Sequence, residues 1–327
     1  MNRRKFLATS VAAVAGCGRR PGGPATSPTD AQRIAADKAA RERHLAALGD
    51  FRVPPDARFV TPPRPVNLLD VFPEVKPLQR QTVRLHPGFA DEPPADATKL
   101  GGRFWWPADE PWPTCEVFKI PYVPVLQLRG DDAPAGMRFK PGADLLQLLW
   151  SPRDPGPSGP KPLVVWRRLK DVRPPVAEPP DTSAAFLGYV PVPCLLFPEP
   201  VLGLPDWHTV TVTPLRAKIE GWKPDGGMNP VEFYQSELSV APGTKVGGYP
   251  RWLGTPAPPT CDTCKRGMDY LLTIDTDELG RGKSWAATAD GVKARHPNPT
   301  GLTLPEPGNI HIFVCRRCED WPVVAAR

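Results

Sequence analysis

The chain has 327 residues, 40% of them apolar, enough to bury one large core or two ordinary ones. Its formal charge of +6 falls to +3 without Arg3, Arg4 and Lys5, too little to point to nucleic acid, and no apolar run approaches the ~20 residues of a membrane-crossing helix. The 47 prolines sit in short clusters between apolar runs, which excludes collagen and a wholly disordered chain and points to many short strands joined by stiff loops.

The chain starts MNRRKFLATSVAAVAGCG, a basic triplet followed by an uncharged run from Phe6 to Gly16. That run has the length of a signal h-region, so residues 1–16 read as an export signal, with an ordinary cytosolic helix as the alternative. The Arg3-Arg4-Lys5-Phe6-Leu7 order resembles a twin-arginine signal, and Val14-Ala15-Gly16-Cys17 resembles a lipobox, which would put a lipid on Cys17 and hold the chain on the periplasmic side of a bacterial membrane. GRRPGGPATSPT after it is a flexible spacer. A helix is predicted next within residues 17–50, capped by Ser27, begun by Pro28, closed near Gly49, and laid on the body through Ile34, Leu45 and Leu48.

Residues 51–200 form a first half. Its runs VPVLQL, LLQLLW, LVVWRR, FLGYVPV and CLLF are short, rich in Val and aromatics, and bounded by Pro and Gly, a strand signature. The second half, residues 201–327, opens with TVTVTP and ends in the strand IHIFVC. Proline cannot donate to a sheet ladder, so small antiparallel sheets with Pro at edges or strand starts are expected.

The two halves share one stretch. Thr98–Arg129 recurs as Thr244–Asp275 at a single offset of 146 residues, matching Lys99/Lys245, Gly101/Gly247, Gly102/Gly248, Trp106/Trp252, Cys115/Cys261 and Leu126/Leu272. The expected fold is mainly β (α+β) and duplicated, with two pseudo-symmetric halves, one N-terminal helix and a zinc-knuckle-like site in the second half. With the two K-x-G-G boxes, Trp112-Pro113, and the VLQL and LLQLLW strands, the chain resembles the YwqG-like proteins from about residue 60 onward. That is a widespread bacterial family of unknown function. The resemblance implies a duplicated β-rich fold and carries no activity with it.

Copy two adds Cys264, and Cys315 and Cys318 complete two C-x-x-C pairs separated by fifty residues. Each such turn presents two sulfurs on one side, so four thiolates can surround one tetrahedral ion; zinc is the usual occupant, and four protein ligands make a structural site. Disulfides are the rival for an exported chain, and a redox C-x-x-C is a weaker one. In the first half Phe118 stands in place of Cys264 and Trp150 near the place of Cys315.

The Gly-Gly pairs read as turns that need positive φ, with an anion cradle as the alternative. Trp106 and Trp252 read as packing residues, Trp105 and Trp112 as surface candidates, and Cys115 and Cys194 as buried thiols. Asp275-Thr276-Asp277-Glu278 begins like a calcium loop but fails at later ligand positions, leaving a solvated turn. The five histidines show no metal spacing, and His311 is expected to point away from the core. No catalytic fingerprint is present. The expectation is a non-enzymatic binding or structural module with a protein or envelope-polymer partner, against an exported hydrolase using Asp109, Glu110 or Asp144 in a cleft between the halves.

Overall fold

The computed structural model describes residues 29–153, 159–211, 213–252, 256–280 and 282–326. The export segment, Cys17 and the spacer to residue 28 lie outside them. Ten strands are formed: β1 (Arg80–Phe89), β2 (Lys99–Leu100), β3 (Val123–Arg129), β4 (Leu145–Trp150), β5 (Pro162–Arg167), β6 (Cys194–Gly203), β7 (Lys245–Gly247), β8 (Asp269–Asp275), β9 (Asn309–Val314) and β10 (Val323–Ala326). They join in the order β10-β9-β8-β7-β1-β6-β2-β3-β4-β5, and every pairing is antiparallel. One mainly β sheet therefore replaces the small separate sheets expected, because the long β1–β6 ladder of ten paired residues ties both ends together.

The sheet nearly closes on itself. Trp166 of β5 meets Trp321, beside β10, edge to face with ring centroids 5.5 Å apart. Alternation sends one face of each strand inward: Val83 and Leu85, Leu146, Leu148 and Trp150, and Ile310, Ile312 and Val314 share one buried cluster. In β3 the register shifts between Pro124 and Leu126, and in β8 between Tyr270 and Leu272. Each bulge lets two successive residues, Val125 with Leu126 and Leu271 with Leu272, reach that core.

The prolines are not confined to edges. Pro87 sits in β1 and Pro198 and Pro200 in β6, the central pair. The short flanking strands explain it: β2 covers only Cys194 and Leu195 of β6, and β7 only Thr82 to Arg84 of β1. Beyond them one side of each strand has no ladder to serve, so a missing N–H costs nothing there.

Two predicted strands are absent. FLGYVPV holds a 3-10 turn at Leu187–Tyr189, and TVTVTP gives way to a helix at Thr213. The helices are α1 (Asp30–Ala47), α2 (Leu68–Val71), α3 (Thr213–Gly221) and α4 (Pro230–Phe233), the last running into a π turn at Tyr234–Leu238. Leu68, Phe72, Leu215, Ile219, Tyr234 and Leu238 form a second core with them, a helical layer the sequence reading did not foresee. α1 is capped by Thr29, through a capping box with Gln32, and not by Ser27. Leu48 is buried beyond its end and Ile34 touches the main core, but Leu45 is 40% exposed. Polar contacts supply the rest of the docking: Arg41 donates to Val190 O, and Asp37 accepts from Gly188 N at 3.2 Å.

Candidate metal centre

Two turns carry the four cysteines to one place. The first runs from Cys261 to Met268 as a tight hairpin ahead of β8. Lys265 N donates to Cys261 O at 2.8 Å, Cys261 N to Arg266 O at 2.8 Å, and Met268 N to Pro259 O at 3.0 Å, with Lys265 at φ 56°. The second joins β9 to β10: Cys315 N donates to Pro322 O at 2.9 Å, and Trp321 N to Cys318 O at 3.2 Å. Because β8 and β9 are paired, the two turns sit side by side.

All four sulfur atoms lie within 4.8 Å of one another. Cys261 Sγ is 3.8 Å from Cys318 Sγ, Cys264 Sγ 3.5 Å from Cys315 Sγ, and Cys315 Sγ 3.8 Å from Cys318 Sγ. A tetrahedron with Zn–S bonds of ~2.3 Å has edges of ~3.8 Å, whereas a disulfide needs ~2.05 Å. The donor set therefore fits a single four-coordinate ion. Cys261 and Cys315 are buried and the other two half-buried, against Trp252, Met268, Tyr270 and Phe313.

The electrostatics agree with a cation site. The backbone N–H of Cys264, then that of Thr263, draws the Cys261 thiol down to about 6, and the N–H of Arg317 lowers Cys315. Burial, with the neighbouring thiols, pushes Cys318 up to about 12. Oriented N–H groups thus favour the first charges, and mutual repulsion resists the last until a cation offsets it.

The loop at Cys115–Tyr122 has the same hairpin geometry with one cysteine in place of two. Lys119 N donates to Cys115 O at 2.8 Å and Tyr122 N to Pro113 O at 2.9 Å, with Lys119 at φ 55°. Phe118 stands at the loop position that Cys264 takes in the Cys261 turn. Trp150 does not occupy the place of Cys315: it turns inward to the core and donates its indole N–H to Tyr189 O at 2.8 Å. Ser151, one residue on, leaves the strand there as Cys315 does, with its N–H on Lys161 O at 2.9 Å.

The K-x-G-G lysines are sealed in. Lys99 Nζ donates to the carbonyls of Pro94 (2.8 Å), Ala95 (2.9 Å) and Arg103, and Lys245 Nζ to that of Ala241. Burial lowers both to about 7. Neither meets solvent, so neither can serve as an anion cradle. Gly101 and Gly102 lie at φ 61° and 68°, and Gly247 and Gly248 at 71° and 73°. Trp106, Trp252, Cys115 and Cys194 are buried. Trp105 and Trp112 are half-buried, with their indole N–H groups on Leu169 O and Tyr122 O.

One expectation is qualified here and one is overturned. His311 does face away from the central core, but it is fully buried on the other side, with Nδ1 2.8 Å from Thr273 Oγ1 and Nε2 2.9 Å from Arg251 O. The loop over residues 250–252 covers it, so that face is not solvent. Glu278 is likewise not part of a solvated turn: it is 2% exposed and accepts from Thr244 N at 3.0 Å and Thr244 Oγ1 at 2.6 Å. Burial raises it to about 8.

On the outward face of β1 and β6 lies a polar cluster that sequence reasoning missed. His86 Nε2 is 2.7 Å from Glu199 Oε2, Arg295 Nη2 is 3.1 Å from His86 Nδ1, and Arg84 Nη1 is 3.7 Å from Glu199. Burial, reinforced by the two arginines, holds His86 near 4. Burial alone would raise Glu199, but its hydrogen bonds from His86 and Thr61 outweigh that and keep it low. The imidazole is therefore neutral, donating from Nε2 and accepting at Nδ1. Phe59 stacks on it at 4.5 Å and His86 is 1% exposed, so the imidazole is sealed within the packing over the sheet. The alternation of Arg84 and His86 with Val83 and Leu85 was visible in sequence; its burial was not.

Asp109 and Glu110 line a cleft of about 800 Å³ beside β5, away from the β1–β6 centre. Glu110 is engaged by the Arg167 guanidinium through both oxygens, and Asp144 accepts from Leu169 N. Among the described residues no helix is long and apolar enough to cross a membrane. No family model and no curated protein matches the chain.

Proposed function

We propose that Cys261, Cys264, Cys315 and Cys318 bind one structural zinc ion, and that the chain is a non-enzymatic binding or structural module. The observation that carries this is the convergence of four sulfurs within 4.8 Å on two adjacent turns. Four thiolate ligands fill a tetrahedral shell, which leaves no position for substrate or water, so such an ion ties the end of β8 to the β9–β10 turn instead of performing chemistry. Zinc would then supply part of the folding free energy of that end of the sheet.

We further propose that the fold is a duplication of the YwqG-like kind. The shared offset, the mirrored order of β2 to β5 and β7 to β10 about the β1–β6 pair, and the two bulges and two hairpin turns at matching positions all support it. The export signal and the lipobox at Cys17 support a place at the periplasmic face of a bacterial membrane, with a protein or envelope polymer as partner.

Metal content and free thiols, measured on chain purified without a metal-affinity step, test the central claim. One zinc per chain, lost together with thermal stability in Cys318→Ser, is the expected result. No metal with four oxidised cysteines would replace it with a disulfide-stapled protein. Membrane fractionation of wild type against Cys17→Ser tests the anchor, and identical fractionation of the two would remove it.

A further inference from the structure

The Gly247–Gly248 turn is the floor of a cleft of about 370 Å³ lined by Arg80, Arg138 and Arg316, with no carboxylate among the lining residues. The three arginines come from three different places: the start of β1, the loop between β3 and β4, and the second cysteine turn. Arg316 pairs with Asp269 at 3.2 Å, yet its Nε is buried with no hydrogen-bond partner. An orphaned buried guanidinium donor is destabilising unless something accepts from it. Arg80 is braced over the Tyr249 ring, 4.2 Å from its centroid. Counting Asp269, the neighbourhood keeps two uncompensated positive charges.

The arginines lining the cleft, not the box lysine, give it its charge.

A second cleft of about 360 Å³ shares Arg80 and Tyr270 with the first and continues along Tyr249, Trp252, Pro250 and Phe313. Its lining is aromatic, prolyl and aliphatic, apart from Arg80 and two threonines. We propose that the arginine cleft binds the phosphate group of a phosphate monoester whose apolar or aromatic part lies over Arg80 in the adjoining trough. The charge calls for a dianion, the guanidinium fork matches phosphate oxygens, and the trough sets what the phosphate is attached to. The site stands independently of the zinc reading: Arg80 and Arg138 lie outside both cysteine turns, and metal content measured on each variant separates the two.

Isothermal titration of the full chain with inorganic phosphate and with phenyl phosphate, at fixed ionic strength, tests it. Both probes should bind saturably, phenyl phosphate about tenfold tighter through burial of its ring. Arg80→Gln and Arg138→Gln should each weaken binding by about tenfold or more, since each removes a charge-assisted contact. The exposed Lys170→Gln should leave it unchanged. Absence of saturable binding, or equal weakening by Lys170→Gln, overturns the site. Equal affinity for the two probes overturns the part given to the trough and leaves free phosphate as the ligand.

Discussion

Replacing Gly248 with alanine is expected to cost about 3 kcal/mol, while the same change at its counterpart Gly102 costs about 1–2 kcal/mol. Both residues lie in the left-handed region, at φ 73° and 68°, so alanine pays a similar backbone penalty of about 1–2 kcal/mol at each. Their surroundings differ. At Gly102 the nearest atom to an added Cβ is Pro193 Cβ at 3.5 Å, ordinary contact. At Gly248 the new carbon would fall on Thr82 Oγ1, well inside 3.0 Å, with Thr82 Cβ at 3.1 Å behind it. Thr82 is buried in β1, paired in register with Gly247, and has nowhere to go. Overpacking of this kind adds about 1–3 kcal/mol. Urea denaturation of the two variants, and of Gly248→Ala with Thr82→Ala, measures the terms separately: the double variant should recover about 1–2 kcal/mol relative to the sum of its singles. Equal costs at the two glycines, or no recovery, would refute the argument that the second box packs against β1 as described.

His311 takes up a proton in the unfolded chain near 6.5 but in the folded protein only near 4, so its contribution is intact above pH 6.5 and is lost as pH falls toward 4. The stability gap between wild type and His311→Gln should therefore narrow by about 2 kcal/mol between pH 7 and pH 5; a constant gap speaks against burial of the ring. Leu148→Ala in β4 and Ile312→Ala in β9 each remove a fully buried inward side chain and should cost about 2–5 kcal/mol by denaturant titration, and a loss under 1 kcal/mol would mean that the interior is not packed. Lys99→Met leaves the carbonyls of Pro94, Ala95 and Arg103 without their donor and should destabilise by about 1–3 kcal/mol; a neutral or stabilising result would show that the ammonium's own burial outweighs those bonds.

Local pattern was enough for several features. Val-rich and aromatic runs bounded by Pro and Gly marked β3, β4, β5, β6 and β9, because alternation and β-branching are properties of adjacent residues. The two C-x-x-C pairs announced a four-sulfur cluster, since each tight turn fixes its own two thiols and only one pairing of turns had to be supplied. The Gly-Gly pairs announced positive φ for the same local reason.

What depended on distance in the chain was not legible. The prolines of β1 and β6 are tolerated only because β2 and β7 are too short to cover them, a fact about neighbours and not about the strands themselves. TVTVTP, which alternates as a strand should, gives way to a 3-10 turn and a helix whose Leu215 and Ile219 pack on Leu68 and Phe72 from far earlier in the sequence. Glu278 looked like part of a solvated turn and His311 only like a residue facing away from the core; both are sealed by loops that fold over the outer face of the sheet. The sequence by itself determined the strand character, the tight turns and the cysteine pairs, all set within a few residues by sterics and side-chain type. Only the tertiary structure decided which faces are buried, that one nearly closed sheet forms from all ten strands, and that three distant arginines share a cleft, because burial is a property of what comes to lie against a residue.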